Sequence, residues 1–193
     1  MKSPFWLNTV VVVLTIALST GAAHALEAPR AALIALNADL TAARESEDPG
    51  ALHARMLDSV ALDIVCQRVL GQGWDKSSAA QREVLRDHIL QLLVNAYSGA
   101  MENAILDEVQ YETLKHSANS ALVAADIPTV KGNVNQVKFR LTVQDQRWLV
   151  KDVMVEGISL VTVFRASFNS ILEKQGVEAL IAHLNKRYAV SSS

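Results

Sequence analysis

The sequence predicts an α+β domain: helices first, an antiparallel sheet second and helices last, with the helices covering one face of a curved sheet. Three observations carry that prediction. Apolar residues recur at helical spacing up to about residue 105 and again beyond residue 160. Between them, polar and apolar residues alternate, most cleanly in Lys138-Phe139-Arg140-Leu141-Thr142-Val143. The short break Asp145-Gln146 joins two such runs, which implies an antiparallel hairpin.

The first residues read as an export signal. Lys2 supplies a short positive start, and Val10 to Leu18 form an apolar run of the length of a signal's hydrophobic region. Ser19, Thr20 and Gly21 break the run, and Ala23-His24-Ala25 is a small-x-small cleavage site. The run is shorter than the roughly 20 residues that a spanning helix needs, which argues against a retained anchor. Leu26, not a cysteine, stands directly after the cleavage site, so a lipid-modified N-terminus is not expected. The reading is therefore residues 1–25 as a cleaved signal and residues 26–188 as one domain. That domain divides into a mainly helical part to 105, a sheet over 106–160 and C-terminal helices over 161–188. Residues 189–193 are a frayed tail.

Pro29 to Arg44 reads as a first helix on the spacing of Leu33, Leu36 and Leu40. A polar break from Glu45 ends in Pro49-Gly50. A second helical region runs from Ala51 to about Leu70, interrupted at Asp58 and Ser59, with Ser59 as the cap of its second piece. Gly71-Gln72-Gly73 closes it. Ser77 or Ser78 caps a long helix reaching about Ala104, whose stripe includes Leu85, Ile89, Leu92, Leu93, Ala96, Tyr97, Ala100 and Met101. Strands are expected over Tyr111–Lys115, Ser120–Ile127, Asn135–Gln144 and Arg147–Val155. Two helices, Val161 to Lys174 and Val177 to Tyr188, part at Gly176.

Composition narrows the function. Half of the 193 residues are apolar but only 5% are aromatic, so the apolar mass is aliphatic. The net charge is −2, and loss of Lys2 with the signal leaves the mature chain near −3. A nucleic-acid binder draws its affinity from neutralising phosphates and needs the opposite balance. Cys66 is the single cysteine, so no internal disulfide is expected, and its apolar neighbours mark it as a small core residue. Catalytic signatures such as GxSxG, HExxH and the P-loop are missing from the sequence, and its histidines have no metal-ligand spacing. Asp152 and Glu156, at the end of an alternating run, are the carboxylates to weigh as pocket bases. Arg165, between Phe164 and Phe168, is suited to a phosphate at a pocket mouth or to a structural bridge with Asp152 or Glu156.

The run Trp148-Leu149-Val150-Lys151-Asp152-Val153-Met154-Val155-Glu156-Gly157-Ile158-Ser159-Leu160 carries a likeness. It is followed by Phe164-Arg165-Ala166-Ser167-Phe168 and by Gly176-Val177-Glu178-Ala179-Leu180-Ile181-Ala182-His183-Leu184. With Leu70-Gly71-x-x-Trp74, Gln81-Arg82, Leu92-Leu93 and Ala96-Tyr97 upstream, this ordered set resembles the MlaC-type family of periplasmic phospholipid-binding proteins, also called toluene-tolerance auxiliary proteins. Gln146 stands where that family commonly has glycine, and the strands before Asn133 match loosely.

The resemblance implies a curved sheet like that of nuclear transport factor 2, a helical subdomain, and a deep apolar pocket between them for acyl chains. It implies a monomer that carries phospholipid between an outer-membrane lipoprotein–porin complex and an inner-membrane ABC transporter with an MCE-domain subunit, maintaining outer-membrane asymmetry. It implies no catalysis, no cofactor and no metal. The wall candidates are then Leu93, Tyr97, Met101, Phe139, Leu141, Val143, Val150, Val153, Val155, Ile158, Leu160, Val163 and Phe168, with Asp152, Glu156 and Arg165 at the rim. Val150 and Val153 have opposite parity on one strand, which a bulge would reconcile. Two other readings stay open: a small pocket enzyme on the same cone-like fold, and a ligand-free adaptor with a solid core.

Overall fold

The computed structural model describes residues 21–48 and 50–188. Most of the export signal, Pro49 of the Pro49-Gly50 break and the tail 189–193 lie outside the described residues. The element order is α1 (Gly21–Glu45), α2 (Ala51–Ser59), α3 (Leu62–Leu70), α4 (Gln72–Lys76) and α5 (Ala79–Met101), then β1 (Gln110–His116), β2 (Ser120–Pro128), β3 (Val134–Gln144), β4 (Arg147–Val155) and β5 (Ile158–Ser159), and finally α6 (Leu160–Tyr188). The strands form one antiparallel sheet in chain order. This is the expected architecture, with a short fifth strand added.

Local chemistry explains the boundaries. Ser78 opens α5 with a reciprocal cap: the Gln81 N–H donates to Ser78 Oγ at 3.2 Å, and the Ser78 N–H donates to Gln81 Oε1 at 2.8 Å. Ser59 does not cap α3, because its hydroxyl donates back to Arg55 O at 2.5 Å and Ala61 takes the cap position. The helix α5 stops at Met101, short of Ala104, which bridges to Thr129 instead. Asp145 and Gln146 take φ of 48° and 60°, the left-handed pair that a tight hairpin needs. Gly176, at φ 83°, breaks α6 into two helices as the sequence suggests. At Gly73 a Cβ would lie 2.9 Å from the end of the Leu172 side chain, so a larger residue there needs Leu172 of α6 to turn aside.

The helical half has a sealed core. Cys66, Leu85, Ile89, Leu90, Leu180 and Leu184 are all 1% exposed or less. Burial pushes the Cys66 thiol up to about 12, which makes it a packing residue and a poor nucleophile. The second half is tied to this core along β4. The Ala61 N–H donates to Val150 O at 2.9 Å, and Val60 forms a parallel bridge with Val150, so the α2–α3 junction runs beside the strand. In the β3–β4 ladder Arg140 faces Asp152 while Leu141 faces Val150. Lys151 is therefore an extra residue, and the bulge puts Val150 and Val153 on one face.

Candidate functional site

The inner face of the sheet is not filled. A cavity of about 170 Å³ lies between β2, β3 and β4 on one side and α1, α2, α5 and the start of α6 on the other. Its wall is almost wholly aliphatic and aromatic. Alternation along the strands produces the sheet side: Ile127, Val137, Phe139, Val150, Val153 and Val155 point in. The apolar stripe of α5 supplies Leu93, Ala96, Tyr97, Ala100 and Met101, and α6 supplies Leu160, Val161 and Phe164.

Eight of the wall candidates therefore line the cavity: Leu93, Tyr97, Met101, Phe139, Val150, Val153, Val155 and Leu160. The others do not. Leu141 is buried in a cluster with Leu33, Ala121, Val123 and Val150 and does not reach the cavity. Val143 sits at the hairpin end, paired with Trp148. Phe168 stacks on Phe164 at 6.4 Å but belongs to the sealed helical core. Ile158 and Val163 are 62% and 42% exposed, because the tight turn at Glu156-Gly157 and the first turn of α6 direct them to solvent. The wall also contains residues that sequence reasoning did not assign to it: Leu33, Leu36 and Leu40 from α1, Met56 from α2, and Val60 and Val65 around α3. Their helical spacing was visible, but spacing alone does not say which neighbour a stripe will meet.

The polar candidates also separate. Asp152 touches the cavity and is 3% exposed, with its carboxylate fully engaged. Ser159 Oγ lies 2.9 Å from both carboxylate oxygens, and the Val161 N–H donates to Oδ1 at 3.4 Å. Arg68 Nη2 and Arg140 Nη1 lie 3.3 Å and 3.5 Å from Oδ2. Ser159 Oγ also accepts from the Thr162 N–H at 3.2 Å, as an N-cap does. Asp152 thus anchors the positive end of α6 to the sheet. The bridge to Arg165 does not form; Arg68 and Arg140 take that role, and Arg165 lines a separate hollow with Gly71, Gln81 and Glu178. Glu156 is exposed and accepts from the Gln136 N–H at 3.1 Å, so it closes a turn.

Two further polar side chains, Ser59 and Tyr97, line the wall, and the Ser59 hydroxyl is spent on Arg55 O. The Tyr97 hydroxyl lies 3.4 Å from Thr41 Oγ1, and burial raises its pKa, as it does for Tyr111. A phenol shifted upward stays protonated at neutral pH and is a weak general acid. Among the described residues no group of His, Cys, Asp or Glu could hold a metal ion. Among them, too, no helix is long and apolar enough to cross a membrane.

Comparison with known proteins agrees with this geometry. The chain is 25% identical over 196 residues to the intermembrane phospholipid transport system binding protein MlaC of Haemophilus influenzae, covering 94% of this chain and 92% of that one. Its fold is similar to that of the phospholipid-binding protein from Ralstonia solanacearum, solved in complex with a phospholipid. The TM-score is 0.69 at 17% identity, over 86% of this chain and 99% of that one. The family model for the MlaC protein matches residues 32–186, so this chain belongs to the MlaC family.

Proposed function

We propose that this protein is a soluble periplasmic phospholipid carrier that buries acyl chains in the cavity and shuttles lipid between an outer-membrane lipoprotein–porin complex and an inner-membrane MCE-domain ABC transporter. The observation that carries the reading is the cavity: a void walled by apolar side chains on the inner face of a sheet. The name of the Haemophilus relative and the phospholipid bound to the Ralstonia relative support it.

The physical need is large. Burying acyl chain is worth roughly 0.8 kcal/mol per methylene, so two chains of about 15 carbons cost on the order of 20 kcal/mol to expose to water. A carrier removes that cost by replacing the bilayer interior with aliphatic wall. Recognition of this kind reads chains and leaves the headgroup near solvent. The present cavity, about 170 Å³, is close to the ~150 Å³ apolar voids that stay dry and admit a benzene-sized guest. It takes a segment of chain as it stands, and a whole diacyl lipid requires the helices to part from the sheet.

A pocket enzyme needs a free base or acid at the wall. Asp152 has both oxygens occupied and Tyr97 is shifted away from neutrality, so carriage is the better reading. A solid-core adaptor is disfavoured by the cavity itself. The test is transfer. Delipidated protein mixed with donor vesicles containing fluorescent phospholipid is expected to acquire the label and pass it to acceptor vesicles. Protein that never acquires label removes the proposal.

A further inference from the structure

A second hollow, of about 630 Å³ and open to solvent, lies where α3 meets the β1–β2 turn. Arg68, Lys115, His116, Arg140 and Lys151 surround it, over an apolar floor that includes Leu122. Leu122 and Arg140 are a cross-strand pair, on the face opposite Val123 and Leu141 of the core. Four permanent cations meet here, and no carboxylate among the described residues lines the hollow. The chain as a whole is at −2, so this groove is a local exception to the overall sign.

Two of the cations reach toward the lipid cavity. Arg68 and Arg140 both approach Oδ2 of Asp152, from the groove side. The same carboxylate holds Ser159 and the Val161 N–H at the start of α6, whose Leu160, Val161 and Phe164 line the cavity. Arg68 also donates to Lys151 O at 3.0 Å, at the bulge. One buried carboxylate is thus shared between the groove and the cavity wall.

We propose that this groove docks an acidic segment of a protein partner, and that its occupancy is coupled to the lipid cavity through Asp152; the coupling rests on the carrier reading above. Arginine forks bind carboxylates in pairs, and complementary charge speeds encounter. The concave shape favours a protruding peptide over a bilayer, whose flat surface cannot follow the groove to its floor. A carboxylate entering the groove competes with Asp152 for the guanidinium groups of Arg68 and Arg140. The anchor at the head of α6 loosens, and lipid leaves more easily. Linkage makes the effect reciprocal: lipid in the cavity changes affinity for the acidic segment by the same factor.

The test uses a fluorescent hexaglutamate peptide and the full mature chain, both lipid-loaded and delipidated. Fluorescence anisotropy is expected to show binding that weakens with salt. The double variant Lys115→Glu/Lys151→Glu, which leaves the Asp152 contacts in place, should bind at least about tenfold more weakly, a loss of about 1.4 kcal/mol. Its circular dichroism and lipid content should match the unaltered protein. The milder Lys115→Gln/Lys151→Gln pair should fall between the two. In the loaded protein, peptide should speed lipid transfer to neutral acceptor vesicles.

Equal binding by the charge-reversed variant overturns the docking site. Displacement of the peptide by phosphatidylglycerol vesicles at matched charge overturns the protein partner in favour of a membrane surface. Peptide binding with no change in lipid transfer overturns the coupling. Binding to the delipidated chain is measured without lipid, so a failed carrier reading leaves the docking result standing.

Discussion

The two halves of the molecule use the same residue types and reach opposite packing outcomes. In the helical half, Leu85, Ile89, Leu180 and Leu184 have no exposed surface and stand away from the cavity wall. On the sheet side, Phe139, Val153 and Val155 are only partly buried and face empty space. The difference lies in what stands opposite. α3, α5 and α6 pack on one another, and ridges of side chain fill the gaps between them. Opposite the sheet stand α1, the α2–α3 junction, the C-terminal half of α5 and the start of α6, held by peripheral ties. Arg44 donates to Met101 O at 3.0 Å, Ala61 pairs with Val150, and Asp152 anchors α6. Helices tied at the edges of the sheet span its inner face without filling it. The lesson is that aliphatic composition alone does not separate a core from a pocket; the geometry of the ties does.

The comparison can be broken most sharply in the sealed core. Leu85→Ala or Leu180→Ala should each cost about 2–5 kcal/mol, because closely packed helices collapse poorly around a new void. Urea unfolding followed by circular dichroism checks this. The sealed core should also show in the alkaline limb of stability. Cys66 has its pKa raised by burial to about 12 from an ordinary 9.0. The folded chain therefore holds that proton more tightly than the unfolded one. Its contribution is intact below pH 9 and is lost as pH rises toward 12. Tyr97 and Tyr111 are shifted the same way and add to the loss above about pH 10. Cys66→Ser should flatten part of that limb, in unfolding curves taken across this pH range.

On the cavity side the expected costs are smaller and the functional effects larger. Phe139→Ala should cost less than the ~3–5 kcal/mol typical of a fully packed phenylalanine, since one side of the ring has no partner atoms to lose. A full loss there would make this region solid core and remove the distinction. Val153→Trp should cost no more than about 1–3 kcal/mol, as the extra ring enters existing space. It should nevertheless cut bound phospholipid at least about tenfold, because it displaces several methylenes' worth of burial at roughly 0.8 kcal/mol each. Extraction and quantification of lipid per protein reads this directly. The smallest effect expected is that of Ser78→Ala, about 1 kcal/mol of stability from the lost cap, with lipid content unchanged.

Much of this was legible in the residues. The helix–sheet–helix order, the Asp145-Gln146 hairpin, the break at Gly176 and a cap on α5 from Ser77 or Ser78 all follow from short-range chemistry. The opposite parity of Val150 and Val153 pointed to a bulge, and Lys151 supplies it. What was not legible depends on long-range pairing. Asp152 meets Arg68 across 84 positions in the chain, and nothing local distinguishes Arg68 from Arg165 as its partner. The α1 stripe of Leu33, Leu36 and Leu40 has the spacing of any core helix, although it faces the sheet and cavity. Ile158 and Val163 are apolar and sit beside wall residues in sequence, yet the turn at Glu156-Gly157 sends them outward.

The central claim is that the void under the sheet holds phospholipid. Native mass spectrometry of the protein, gently purified after export from producing cells, tests it most directly. The account predicts a species heavier than the mature chain by the mass of a phospholipid, released on activation, and strongly depleted in Val153→Trp. A bare chain mass from both proteins, unchanged after incubation with phospholipid vesicles, would contradict it.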